Sequence, residues 1–229
     1  MLRTYKLGEA DRIVVLLTRG RGKVRGVAKG VRKTKSKFGG RLEPTSHVAV
    51  QLYEGRELDI VTQAETVDHF RALRDDLDRL TRAVTMLEAV DSLSMEREPN
   101  PRLYRMLLGA LRSLAMYDSP LVLAGFFWKV LALEGFEPRV DSCVVCDRAD
   151  DLVAFDIGEG GVLCRDDRRG TAITPEALHL LRRILGGQLG AALNEDTSAA
   201  TIELDHLATR AMEHHLERRL RSVGLLDRG

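Results

Sequence analysis

The sequence predicts an α+β protein: a small N-terminal β-barrel, then an α-helical bundle carrying a zinc-knuckle insertion. Three observations predict it. Up to about Glu65 the apolar residues alternate or run in short blocks between Gly-bearing turns. After Thr66 they recur at intervals of three and four. Cys143-Val-Val-Cys146 is answered, seventeen residues on, by Cys164-Arg-Asp166-Asp167. At 229 residues, 44% apolar and 30% charged, the chain can bury roughly 70% of its unfolded surface and needs no disulfide framework.

The elements follow in order. Ile13 to Leu17 is a continuous apolar run, as in a strand covered on both faces. Lys23 to Ala28 follows the Arg19-Gly-Arg21-Gly22 turn, with Lys23 and Arg25 on one side of the strand. Val48, Val50 and Leu52 alternate with His47, Ala49, Gln51 and Tyr53, and Leu58, Ile60 and Thr62 share a face after the Glu54-Gly55-Arg56 turn. Gly30 to Gly40 lacks any apolar period and reads as a basic loop. Phe70, Leu73, Leu77, Leu80, Val84 and Leu87 then form one helical stripe. Asn100-Pro101, Ser119-Pro120 and Thr174-Pro175 each pair a cap with a first-turn proline. Leu121 to Leu133 is apolar all round and belongs at the centre of the bundle, with Phe126, Phe127 and Trp128 as core. Leu204, Leu207, Ala211, Leu216 and Leu220 mark the last helix, with Arg218, Arg219 and Arg221 near its end. These signals divide the chain into 1–65, a nucleic-acid-binding domain, and 66–229, a helical domain with its knuckle at 139–170.

Charge is segregated. Ten basic residues lie between Arg19 and Arg41 (Arg19, Arg21, Lys23, Arg25, Lys29, Arg32, Lys33, Lys35, Lys37 and Arg41) with no acidic residue among them. Taking these ten from 35 Lys and Arg leaves 25 against 34 Asp and Glu, so the remainder carries −9. A positive stripe on an acidic molecule attracts a polyanion. The alternative is a solvated charge run, although an acidic remainder needs no further solubilising. Five phosphate contacts on a single-stranded nucleic acid would give log K a slope of roughly −3.5 against log salt. Phe38 is the only aromatic in the stripe and offers little base stacking.

Two Cys-x-x-Cys turns can complete a tetrahedron around zinc, and here Asp167 stands at the fourth position. Three thiolates and a carboxylate supply the −4 ligand charge of four thiolates. The predicted ligands are Cys143, Cys146, Cys164 and Asp167, with Asp166 or a water as rivals for the last place. A knuckle without metal and a redox-active pair are the competing readings, the second lacking its βαβ context. A zinc with four filled positions is structural. The P-loop, dinucleotide, nucleophile-elbow and zinc-deaminase signatures are absent, so no enzyme is expected. Neither a membrane span nor an apolar leader is present: the most apolar stretch stops at Lys129. The expected location is cytoplasmic.

Several ordered motifs resemble a known family. Leu7-Gly-Glu-Ala-Asp-Arg-Ile13, Arg21-Gly-Lys-Val-Arg25, Ala28-Lys-Gly-Val-Arg32, Arg41-Leu-Glu-Pro44 and a C-x-x-C after Gly135-Phe-Glu-Pro138 are similar to bacterial recombination mediators of the RecO family. The resemblance covers essentially the whole chain. It implies an N-terminal OB-fold, a helical bundle, a zinc knuckle and a nucleoid-associated role in DNA repair. It further implies binding of ssDNA and dsDNA, strand annealing, and work with RecR to help load RecA onto DNA coated by single-strand-binding protein. That protein's acidic, apolar tail calls for a groove pairing cations with apolar residues, expected on the helical bundle. Relatives usually begin with a further segment completing the first strand, so the Met1-Leu2-Arg3 start implies either a late start or a more open barrel. Asp167 replaces the usual fourth cysteine. An RNA- or ribosome-associated OB protein uses the same stripe and is the alternative; a zinc-containing nuclease is a third reading.

Overall fold

The computed structural model describes residues 1 to 226. Five strands come first: β1 (Arg3–Leu7), β2 (Asp11–Thr18), β3 (Gly22–Ala28), β4 (His47–Tyr53) and β5 (Asp59–Asp68). They form one sheet in the order β1-β2-β3-β5-β4, antiparallel except for the β3–β5 pair. This is an OB-like sheet of five strands that does not close into a barrel. Among the described residues the edge strands β1 and β4 do not pair. Backbone crosses the gap at Met1, whose carbonyl accepts from Thr45 N at 3.2 Å.

Register decides which side chains turn inward. Val14 lies opposite Gly26 and Leu16 opposite Val24, and Val14, Leu16, Ala28 and Val61 pack with Phe38 and Leu42 into the sheet's core. The basic loop is therefore no loose tether. Phe38 and Leu42 are each 1% exposed and pin it to the core, and successive turns run through Gly30, Lys33, Ser36 and Gly39. No apolar period announces this, because two isolated anchors make no pattern. The β2–β3 turn is closed by Thr18, whose Oγ1 accepts from Arg21 N at 3.0 Å and donates to Gly22 O at 2.9 Å.

Gly22 has φ +66, and a Cβ there would sit 2.0 Å from the Glu98 carbonyl oxygen. Gly22→Ala combines a left-handed backbone with a backbone clash and should destabilise by about 2 kcal/mol or more. A urea midpoint within error of wild type would contradict this.

The predicted stripe from Phe70 is two helices, α1 (Arg71–Arg74) and α2 (Leu77–Leu93). Asp76 breaks it by capping α2, accepting from Arg79 N at 2.9 Å. Leu77, assigned to the apolar stripe, is 77% exposed, because it starts a new helix whose phase the cap resets. Helix α3 (Pro101–Met116) starts as expected, with Asn100 Oδ1 accepting from Leu103 N. Leu16, Phe70, Leu87, Leu107 and Leu111, with Arg19, His47 and Tyr104, line a pocket of about 140 Å³ between sheet and helices.

Helix α4 (Leu121–Leu133) is buried on nearly every side, and it starts one residue later than the Ser119-Pro120 pair predicts: Pro120 itself is the N-cap, with no side-chain cap. Two strands, β6 (Leu152–Asp156) and β7 (Gly161–Cys164), make the expected hairpin, and β8 (Thr171–Ala172) adds an unanticipated third strand beside β6. Trp128 packs on Phe155 with ring centroids 5.7 Å apart, tying α4 to this sheet. Thr174 caps α5 (Pro175–Leu185), accepting from Ala177 N. After the short α6 (Leu189–Ala192), Ser198 and Thr201 form a capping box for α7 (Ala199–His215). Helix α7 stops at His215, and Glu217 is left-handed at φ +51. Leu216, Leu220 and the three arginines thus lie beyond the helix, and the residues of its last turn include His214 and His215. A short α8 (Val223–Leu226) ends the described chain.

Two compact units result: Met1–Ala115 with the chain from Leu220 onward, and Met116–Arg219. No helix among the described residues is long and apolar enough to cross a membrane.

Candidate nucleic-acid interface and metal centre

The ten cations between Arg19 and Arg41 fall into three sets. Arg21, Lys23 and Arg25 face acids of their own unit. Lys23 Nζ donates to the Asp91 carbonyl at 2.6 Å and lies 3.4 Å from its carboxylate, which Arg3 Nε meets at 2.7 Å. Arg25 Nε is 2.7 Å from Glu96. Arg21 lies 3.4 Å from Glu54 and 3.5 Å from the fully buried Asp59, which Arg97 also holds at 2.9 Å. Backbone continues the contact, with Arg97 N donating to Lys23 O at 2.9 Å. The side that Lys23 and Arg25 share is thus the side the chain after α2 covers.

Arg32, Lys37 and Arg41 form the second set. Their side chains donate to carbonyls: Arg32 to Glu9 at 2.9 Å, Lys37 to Thr62 at 2.9 Å, Arg41 to Lys37 at 3.0 Å and Phe38 at 3.1 Å. These bonds position the charges without cancelling them. Arg19, Lys29, Lys33 and Lys35 form the third set. All four are exposed, and their side chains have no ion pair or hydrogen bond among the described residues.

The knuckle brings its four predicted ligands together. The ligand atoms of Cys143, Cys146, Cys164 and Asp167 all lie within 4.8 Å of one another. Asp167 Oδ2 is 3.3 Å from the sulfurs of Cys143 and Cys164, and Cys146 Sγ is 3.6 Å from Cys164 Sγ. Tetrahedral zinc with bonds of about 2.3 Å needs ligand edges of ~3.8 Å, so the set fits such an ion with little movement. The first turn is built by Cys143 N donating to Arg148 O and Asp147 N donating to Cys143 O, with Asp147 at φ +64. Hairpin β6–β7 delivers Cys164 opposite Leu152.

Neighbouring charges separate the two aspartates. Arg148 Nη1 donates to Asp166 at 2.6 Å and draws that carboxylate away from the thiols, leaving Asp167 to them. Arg165 clamps Asp151 across the same base at 2.9 and 3.1 Å. Hydrogen bonds from Cys146 first, then Cys164 and Cys143, hold the Asp167 carboxyl below the ordinary carboxylate range. The same carboxylate pushes the Cys146 thiol up to about 12. A carboxylate gathered with three thiols is a donor set that a metal ion can take up. The cluster can hold a metal ion.

A five-stranded OB-like sheet that is not closed, helices and a cysteine knuckle able to hold a metal ion define an α+β protein with an OB-like N-terminal region. Two family models cover nearly all of the chain: recombination protein O N terminal over residues 1–70 and recombination protein O C terminal over residues 74–223. The chain belongs to the recombination protein O family, whose role is in DNA recombination and repair.

Proposed function

We propose that this protein is a non-catalytic mediator that grips DNA by its phosphates along the Arg19–Arg41 segment and anneals complementary strands. The observation that carries the reading is the third set of cations: Arg19, Lys29, Lys33 and Lys35, exposed and without an ion pair among the described residues, on a chain whose charge outside the basic run is negative. Lys and Arg contacts to phosphate release counterions and give affinity without sequence information. Phe38 is in the core, so stacking adds little and the binding is weakly base-selective. Two strands held on positive surface repel each other less, while their base edges stay free to pair. Arg32, Lys37 and Arg41 reinforce the contact. Arg21, Lys23 and Arg25, also expected on the DNA side, contribute only as far as their acids release them.

The number of contacts can be measured. Four on single-stranded DNA give a slope of log K against log salt of about −2.8, and seven give about −4.9. Both single and double strands should bind. A salt-independent affinity would overturn the reading. Following the family resemblance, the same protein works with RecR to help load RecA onto DNA coated by single-strand-binding protein. Annealing of coated strands, with and without RecR, tests that step.

We further propose that the knuckle's ion is zinc and structural. Three soft thiolates and one carboxylate in a tetrahedron suit zinc, and four protein ligands leave no open position for chemistry. Purified protein should carry one zinc per chain. Cys143→Ser and Asp167→Ala should lose or weaken it, with lower stability, while Asp166→Ala keeps it. Metal content by emission spectroscopy decides; loss in Asp166→Ala with retention in Asp167→Ala would reverse the assignment.

A further inference from the structure

Helix α3 carries a second positive surface outside the Arg19–Arg41 segment. Its sixteen residues include three arginines and no acid. Leu103, Leu107, Leu111 and Leu114 are its buried face. Arg102, Arg105, Gly109 and Arg112 are exposed and lie on the opposite side, within an arc of roughly 80° at 100° per residue. At 1.5 Å per residue the stripe is about 15 Å long. None of the three arginines makes an ion pair among the described residues.

An ordinary solvated helix face mixes signs, because opposite charges at i,i+3 and i,i+4 support the helix and like charges weaken it. This face does the reverse, with Arg102 and Arg105 three apart on one side. Gly109 is a second concession on the same face. Glycine is the poorest helix former after proline, and here no close packing requires it: an added Cβ would meet nothing within 4 Å. A row of arginines without ion pairs among the described residues, interrupted by a bare stretch of backbone, suits a polyanion that approaches the helix closely.

The helix is fixed to the sheet. Tyr104 Oη bonds His47 Nε2 at 3.0 Å, at the start of β4. The stripe and the Arg19–Arg41 segment therefore belong to one compact unit.

We propose that the Arg102–Arg105–Gly109–Arg112 face of α3 is a second nucleic-acid site, which binds the backbone of a second DNA strand. The inference rests on the DNA-binding reading above and extends it. Annealing needs two strands on one protein, and the two cationic surfaces provide one place for each. Three contacts on a single strand contribute about −2 to the salt slope of second-strand binding.

The test uses the full chain and two non-complementary oligonucleotides, one with a fluorescence donor and one with an acceptor. Wild type should hold both, at two strands per chain at saturation. The triple variant Arg102→Gln/Arg105→Gln/Arg112→Gln should hold one, with first-strand affinity within about twofold and annealing slowed about tenfold or more. The matching Lys triple should restore both strands, which a merely structural role for the arginines would not predict. Gly109→Ala should raise Tm by about 2–4 °C while weakening second-strand binding. If the Gln triple misfolds, single Arg105→Gln and Arg112→Gln variants should show the same loss in smaller steps. Unchanged stoichiometry and annealing in the Gln variants overturn the proposal, as does loss of an acidic peptide's binding with DNA stoichiometry intact. If wild type binds no strand even in dilute buffer, the DNA-binding reading itself has failed.

Discussion

Replacing Arg19, Lys29, Lys33 and Lys35 by Glu should lower affinity for single-stranded DNA by more than about a thousandfold at 0.15 M salt and abolish annealing. On single strands each phosphate contact adds about 0.7 log units of affinity per decade of salt below 1 M. Neutralising four of them with Gln therefore costs roughly two-hundredfold at 0.15 M, and reversal adds repulsion to that loss. The salt slope should flatten by about 2.8 in the Gln variant. Folding should be spared, because these side chains are exposed and make no ion pair or hydrogen bond among the described residues. Fluorescence anisotropy at five salt concentrations, beside a circular-dichroism melt, separates binding from stability. A Glu variant that anneals like wild type at moderate salt would remove this segment from the binding surface.

Asp91→Ala should have the opposite profile, with a large loss of stability and little direct effect on DNA contact. Asp91 is 7% exposed, and Lys23, its partner, 15%. Removing one member of such a pair leaves the other buried and uncompensated, which costs about 3–5 kcal/mol. For a chain of this size that is a fall in Tm of roughly 10 °C. Lys23→Ala should also destabilise, and Lys23→Met/Asp91→Leu should recover most of the loss, since an apolar pair of similar volume can replace a buried ion pair. Arg3, 53% exposed, is the lesser partner and its removal should cost under about 1 kcal/mol. An Asp91→Ala melt within 2 °C of wild type would return Lys23 to the set of cations free for DNA.

These contrasting outcomes show where sequence reading reached and where it stopped. Asn100 and Thr174 were legible as caps because a cap and the amide it accepts from lie three residues apart. His47 to Tyr53 was legible as a strand because alternation is a local signal. Asp76 gives no sequence signal of a break, since it preserves the apolar spacing while resetting the helix. Asp91 could not be recognised as the partner of Lys23, as 68 residues separate them. The acids that occupy Arg21 and Arg25 are likewise distant in the chain.

By itself the sequence determined the strands-then-helices order, the helix starts at Asn100 and Thr174, the basic run and the four residues that gather at the knuckle. Each of these is written within a few residues, where covalent geometry and hydrogen-bond reach do the selecting. Tertiary structure alone decided which of ten cations keep an unanswered charge, why Asp167 and not its neighbour Asp166 meets the thiols, and that three arginines of α3 face outward together. A charge is available or spent according to its distance from the opposite charge in space. That distance is set by how strands and helices pack, and sequence separation does not encode it.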